Sequence, residues 1–280
     1  MLTFDLTHPR AEELLDEALS AQPERLDLAA FAVAALESPT LEVDRYLARL
    51  EALSERVTAR RTGTWGALEQ LAALHHVLVV EEGFRGNESD YGDPLNSLLD
   101  AVMERKVGIP ISLSVLWMEV ARRAGIALYG VGFPGHFLVG LDDADGRRFV
   151  ADPFHHGRVL SPDDCSALLR KAVPNALVSE DLFQPAPVRA ITWRMLTNLK
   201  RLYFAKGDQT RALKVEDLLL RLAPDHPGEL RARAALLSSL GAYKAALADV
   251  ERVLQLGPAP DAPALHAAAR ALRERLAFVN

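Results

Sequence analysis

The sequence predicts an α+β protein, mostly helical, with one small antiparallel sheet near its middle and only helices after residue 190. Three observations carry this. Apolar residues recur at helical spacing through residues 9–82. Between about 127 and 155 the period falls to two and the composition turns to Val, Phe and Tyr. Beyond 190 the helical period returns, and the chain repeats itself at an offset of 34 residues.

In the first segment Val43, Tyr46, Leu47, Leu50, Leu53 and Val57 mark one helix face, and Leu68, Leu71, Leu74 and Leu78 mark the next. "GFRGNESDYGDP" at 83–94 is a loop, closed by Asp93 as an N-cap with Pro94 behind it. The helix through "LNSLLDAVMERK" is broken by Gly108 and Pro110. A second helix follows, burying Leu113, Leu116, Trp117, Val120, Ala121 and Ala124 and ending at Gly125, where a left-handed cap belongs. "ALYGVGF", "HFLVGLD" and "RRFVADPF" are then short strands, separated by Pro-Gly and by "DADG". Ser161, Pro162 and Asp164 form the opening of another helix, with a capping box. Residues 175–189 read as a linker.

In the repeat, Gly207 matches Gly241, Ala212 matches Ala246, and Leu213 matches Leu247. Leu220 matches Leu254, Leu222 matches Leu256, and Pro224 matches Pro258. A helix–turn–helix of this period with small residues at the crossing resembles the tetratricopeptide repeat. Leu196, Leu199 and Tyr203 take its first-helix apolar positions, whereas Arg233 and Ala234 stand where the pattern has Leu and Gly. "APALHAAARALRERLAFV" would cap the stack. Two repeats are fewer than the three that usually stand alone, so they should dock on the preceding domain.

The charge distribution points the same way. Residues 1–190 carry 18 Lys and Arg against 29 Asp and Glu, a balance of −11, and residues 191–280 carry 14 against 9, a balance of +5. With a net charge of −6 and no aromatic interleaving in the basic part, nucleic acid is not the expected partner. Cys165 is the single cysteine, which excludes an intramolecular disulfide and a multi-cysteine zinc site. No basic and apolar leader opens the sequence and no apolar run reaches membrane-spanning length, so a cytoplasmic setting is expected.

The order of elements in the middle raises a question of chemistry. A helix N-terminus near Pro110, a strand entered by His136 and a strand ending in Asp152 follow the order of a cysteine-protease-like triad. A helix start suits a thiolate, because unpaired N–H groups and the macrodipole favour negative charge there. Yet no cysteine stands there. "GIP" occupies the place, with Ser112 and Ser114 just beyond.

The stretches "GFRGNESDYGDPLNS", "ERKVGIPISLSVLWMEVARRAGI", "GVGFPGHFLVG" and "FVADPFHHGRVLS" make residues 68–170 resemble the transglutaminase-like domain of the SirB1 family. That resemblance implies a cysteine-protease-like fold, often followed by tetratricopeptide repeats. It also implies a nucleophilic cysteine opening the helix, and counting back from Gly125 places that position on Pro110. The expected organisation is an N-terminal helical region at 1–67, a transglutaminase-like domain at 68–185, and repeats with a capping helix at 190–280.

Three roles stand open for His136 and Asp152: a hydrogen bond tying two strands, the lining of a binding cleft, or a working general base. Ser112 either caps its own helix or serves as a nucleophile, completing a remnant triad. Tyr91, Asp93, Asn96 and Ser114 are expected to border the same cleft. Cys165 lies in a first helical turn beside Asp163 and Asp164, whose charges oppose a thiolate. Neither His75–His76 nor His155–His156 has an evident third ligand, so no metal or other cofactor is expected. The function expected is a non-enzymatic interaction or regulatory protein that holds a protein or peptide partner on its helical repeats. The alternative is an amide or ester hydrolase or an acyl transferase, using His136 and Asp152 with a serine or Cys165 as nucleophile.

Overall fold

The computed structural model describes residues 8–258 and 260–279. Helices α1 (Pro9–Ser20), α2 (Leu26–Ala35), α3 (Val43–Thr58) and α4 (Ala67–His75) come first, and α4 widens into a π-helical turn at His76–Glu81. A short strand β1 (Arg85–Gly86) pairs in parallel with β2 (Val107–Gly108), with α5 (Leu99–Arg105) between them. This pair lies outside the stretch where strands are expected, and two residues are too few to carry an alternation in sequence. Helix α6 (Pro110–Arg123) follows, then β3 (Tyr129–Val131), β4 (Leu138–Asp142), β5 (Arg148–Asp152), β6 (Arg158–Leu160) and α7 (Pro162–Ala172). Strand β6 extends the sheet past the expected limit near 155.

Helix α6 is the centre of the first half. Every residue from Pro110 to Ala121 is buried, so the amphipathic stripe read in the sequence is only part of a helix enclosed on all sides. Helices α2, α3, α4 and α5 pack on it, and the sheet covers the remaining side. The four strands form an antiparallel meander, β3-β4-β5-β6. Both sheet faces are buried: Phe137, Val139, Leu141 and Ala151 join the main core, while Leu138 and Val150 join a smaller one with Cys165, Leu169 and Phe183. Alternation in the strands therefore separates two cores rather than core from solvent.

After residue 185 the described chain is helical: α8 (Val188–Ala205), α9 (Gln209–Leu222), α10 (Pro227–Ser239), α11 (Tyr243–Gln255) and α12 (Ala262–Val279). Each helix packs on the next, as stacked helix pairs require. The stack also docks on the first half, α8 against α2 and α9 against α1. Ile191, Met195, Leu199 and Tyr203 of α8 are buried in the common core. Ion pairs border the contact, with Arg221 bonded to Glu12 and Asp16, Arg211 to Glu37, and Arg189 to Glu24. Arg233, the departure from the repeat pattern, ties α9 to α11 by bonding Asp217 at 2.9 Å and Asp249 at 2.7 Å. Among the described residues no helix is long and apolar enough to cross a membrane.

Candidate functional site

A cleft of about 920 Å³ opens between the start of α6, the turn before β4 and one face of α8. Its lining includes Pro110, His136 and Tyr91 from the first half and Arg194, Asn198 and Arg201 from α8. The side chain of His136 reaches it from the "PGH" turn, where Gly135 has φ +67 and a Cβ would lie 2.7 Å from Ala172. A left-handed backbone and this contact both favour glycine there.

Behind His136 sits Asp152, 2% exposed. The β4–β5 register pairs Val139 with Ala151, which sets the start of one strand beside the end of the other. His136 Nε2 lies 2.8 Å from Asp152 Oδ2. His155 Nδ1 lies 2.7 Å from the same oxygen, and the other carboxylate oxygen accepts from the backbone N–H groups of Phe154 and His155. Burial pushes the Asp152 carboxyl up, but the two imidazoles outweigh it and its pKa falls below the ordinary value. An ionised Asp152 thus orients His136 through Nε2 and leaves Nδ1 clear of that bond.

The nucleophile position carries none. Pro110 opens α6 and lines the cleft. Ser112 is fully buried and turned away: its hydroxyl donates to the Asn96 carbonyl at 2.6 Å and accepts from Ile109 N–H at 3.1 Å. A Cβ on Gly108 would lie 2.7 Å from that oxygen, so the glycine makes room for the bond. Ser114 is buried as well, 3.4 Å from the Phe137 carbonyl. Cys165 packs in the smaller core, where burial and then Asp164 push its thiol up, the wrong direction for a thiolate.

Of the four residues expected to border the cleft, Tyr91 lines it and the other three are engaged elsewhere. Asp93 caps the turn at Pro94–Ser97 by accepting from Leu95 N–H, and it pairs with Arg105. Asn96 is fully buried, accepting from Asn87 and donating to the Asp90 carbonyl, which fixes the loop into α5. Ser114 points to the backbone of the sheet. Local polar residues near a helix start bond their own loop before they serve a cleft.

His136, Asp152 and His155 are the group among the described residues whose ligand-type atoms converge, within 4.8 Å of one another. They are the residues that could hold a cation. Both imidazole nitrogens stand at hydrogen-bond distance from one carboxylate oxygen, so an ion bound there would have to displace the protons that make those two bonds. The sequence offered His155 only beside His156, with no third ligand in view, and it is the turn after Asp152 that brings it to Asp152 and His136. Arg194 and Arg201 carried no signal there at all, since they reach the cleft from the far unit.

Comparison with known proteins agrees with this fold. Residues 44–197 match the model of the transglutaminase-like superfamily, and residues 199–277 match a tetratricopeptide repeat. The chain belongs to the SirB1 family of that superfamily. A UPF0162 protein of Xylella fastidiosa is 38% identical over 82% of this chain and 83% of its own length. A UPF0162 protein of Pseudomonas aeruginosa is 32% identical over 87% and 89%, and Protein SirB1 of Salmonella typhimurium is 27% identical over 80% and 82%. No solved structure matches. As a SirB1-family chain, this one joins a transglutaminase-like core to repeats while opening its central helix on a proline.

Proposed function

We propose that this protein binds a protein partner and does no acyl-transfer chemistry. The repeats supply the partner-holding surface, and the transglutaminase-like half is a rigid platform of which His136 and Asp152 are a structural remnant. One observation carries the reading: Pro110 stands in the cleft where a nucleophile would act, and the first hydroxyl after it along the helix, on Ser112, is buried and bonded to backbone. An imidazole held by a carboxylate has nothing to deprotonate there. A division into 1–67, 68–185 and 190–280 fits this assignment of roles, and a cytoplasmic location fits a chain whose single cysteine is free. The test is covalent labelling of the full chain with fluorophosphonate and acyl probes, read by mass spectrometry. No adduct is expected. An adduct on Ser112, Ser114 or Cys165 that disappears in His136→Ala would establish the hydrolase or acyl-transferase reading instead.

A further inference from the structure

The side chains lining the cleft include Arg194, Arg201 and His136 but no aspartate or glutamate. In a chain of net charge −6, a concave surface with cationic side chains and no anionic ones is a departure that asks for a cause. Arg194 sharpens the point. It is half-buried, donates through Nη2 to the carbonyls of Phe133 at 3.1 Å and His136 at 2.5 Å, and lies over the Phe137 ring. No carboxylate pairs with it among the described residues. Other sequestered arginines of this protein are neutralised: Arg123 by Asp27 and Glu119, Arg233 by Asp217 and Asp249. Burial lowers the pKa of Arg194, the mark of a cation desolvated without a counter-ion.

Arg201 lies seven residues further along α8, on the same face, with Thr197 and Asn198 between them on the cleft side. Its side chain likewise has no acidic partner among the described residues. Across the cleft is the N-terminus of α6, whose macrodipole adds positive potential from the opposite wall. Ile109, Ile111, Phe137 and Leu202 make the rest of the lining largely apolar.

We propose that the cleft binds an acidic peptide segment, with a side-chain carboxylate held between Arg194 and Arg201 and a neighbouring apolar side chain against Ile111 and Leu202. The guanidinium fork matches a carboxylate in two-point geometry, and Asn198 can bond peptide backbone. A cleft of about 920 Å³ with apolar flanks exceeds what one small anion would fill. This rests on the partner-binding reading above and names the chemistry of the partner.

The test is fluorescence anisotropy on the full chain with a labelled, N-acetylated and C-amidated peptide in which glutamate alternates with leucine. Its counterpart carries glutamine in place of glutamate, and inorganic phosphate is titrated separately. The acidic peptide should bind saturably, and the glutamine peptide at least tenfold more weakly. Arg201→Gln, which breaks no internal bond, should weaken the acidic peptide about tenfold or more, the loss expected for one charged hydrogen bond, and Arg201→Lys should restore part of it. Arg194→Gln should do the same, with its thermal transition measured alongside because Arg194 also holds two carbonyls. Equal binding of the two peptides, or no change in Arg201→Gln, would overturn the proposal. So would arginine-dependent binding of phosphate without binding of the acidic peptide. The labelling experiment reads chemistry and this one reads the cleft. An adduct found with the peptide still bound removes the non-catalytic reading alone, and a clean protein without peptide binding removes this one alone.

Discussion

Removing Asp152 should unsettle the fold around the cleft, and the size of the effect can be worked out. The carboxylate accepts from two imidazoles at 2.8 and 2.7 Å and from two backbone N–H groups at 3.0 and 3.3 Å, and it is 2% exposed. Asp152→Ala leaves His136, itself buried, without its acceptor and frees two N–H groups at the end of β5. Losing one partner of a buried pair of this kind costs about 3–5 kcal/mol. At roughly 2–4 °C per kcal/mol for a chain of this size class, the midpoint of thermal unfolding should fall by about 6–20 °C. Asp152→Asn keeps an acceptor for the backbone and should lose less. The sign of the pH effect follows from the lowered carboxyl. Its contribution is complete above the ordinary carboxylate pKa and is lost as pH falls through the lower folded value. Wild type should therefore destabilise more steeply than Asp152→Asn as the pH drops below about 4. Circular dichroism melts at pH 7 and in acid measure both. A midpoint shift under about 2 °C for Asp152→Ala would show that the carboxylate holds nothing together.

Three other substitutions test separate parts of the argument. Ser112→Ala should cost about 1–3 kcal/mol in denaturant unfolding, since its hydroxyl bonds buried backbone, whereas a nucleophile held in reserve would leave stability unchanged when removed. Arg233→Leu should cost about 3 kcal/mol, near the low end for a buried pair because Arg233 is partly exposed, and thermal melts of the full chain will read it. Glu216 is fully buried between Lys200 and Glu229, and burial first, then Glu229, raises its pKa. A raised carboxyl stabilises most at low pH and loses that contribution as pH rises through the folded value, so Glu216→Gln should gain on wild type between pH 5 and pH 9 in parallel melts.

Much of the architecture was legible because its signals are local. The helix from Pro110, the cap at Gly125 and the capping box of Ser161 and Asp164 each follow from a few adjacent residues, and the structure has all three. The 34-residue offset announced the repeats for the same reason. Arg233 looked like decay of the pattern because its partners, Asp217 and Asp249, are ordinary surface-like residues until the helices stack. The site was harder to read. His136 and Asp152 could be paired from strand order, but Asp93, Asn96 and Ser114 were drawn toward a cleft when their short side chains bond the nearest loop or strand. Arg194 belongs to a helix whose period declares only a buried face. Which residues lie on the opposite face is visible in sequence, and what that face looks onto is not.

That helix joins the two halves of the molecule. One side of α8 is core, with Ile191, Met195, Leu199 and Tyr203 packed against the first half, and Tyr203 also bonds Glu37 at 2.9 Å. The other side forms a wall of the cleft through Arg194, Asn198 and Arg201. The first repeat helix is therefore also part of the transglutaminase-like site, and the two cannot be separated without exposing a buried apolar face. Cutting the chain near 190 would strip α2 of its cover and the cleft of its cations together. A change in binding after such a cut would not say which was lost, whereas single substitutions on the cleft side of α8 leave the packed side intact. The same geometry couples the functions assigned to the two halves. If the proposed peptide seats between Arg194 and Arg201 it holds α8 against the platform. By linkage, anything that displaces α8 would weaken that binding by the same factor as the peptide opposes the displacement.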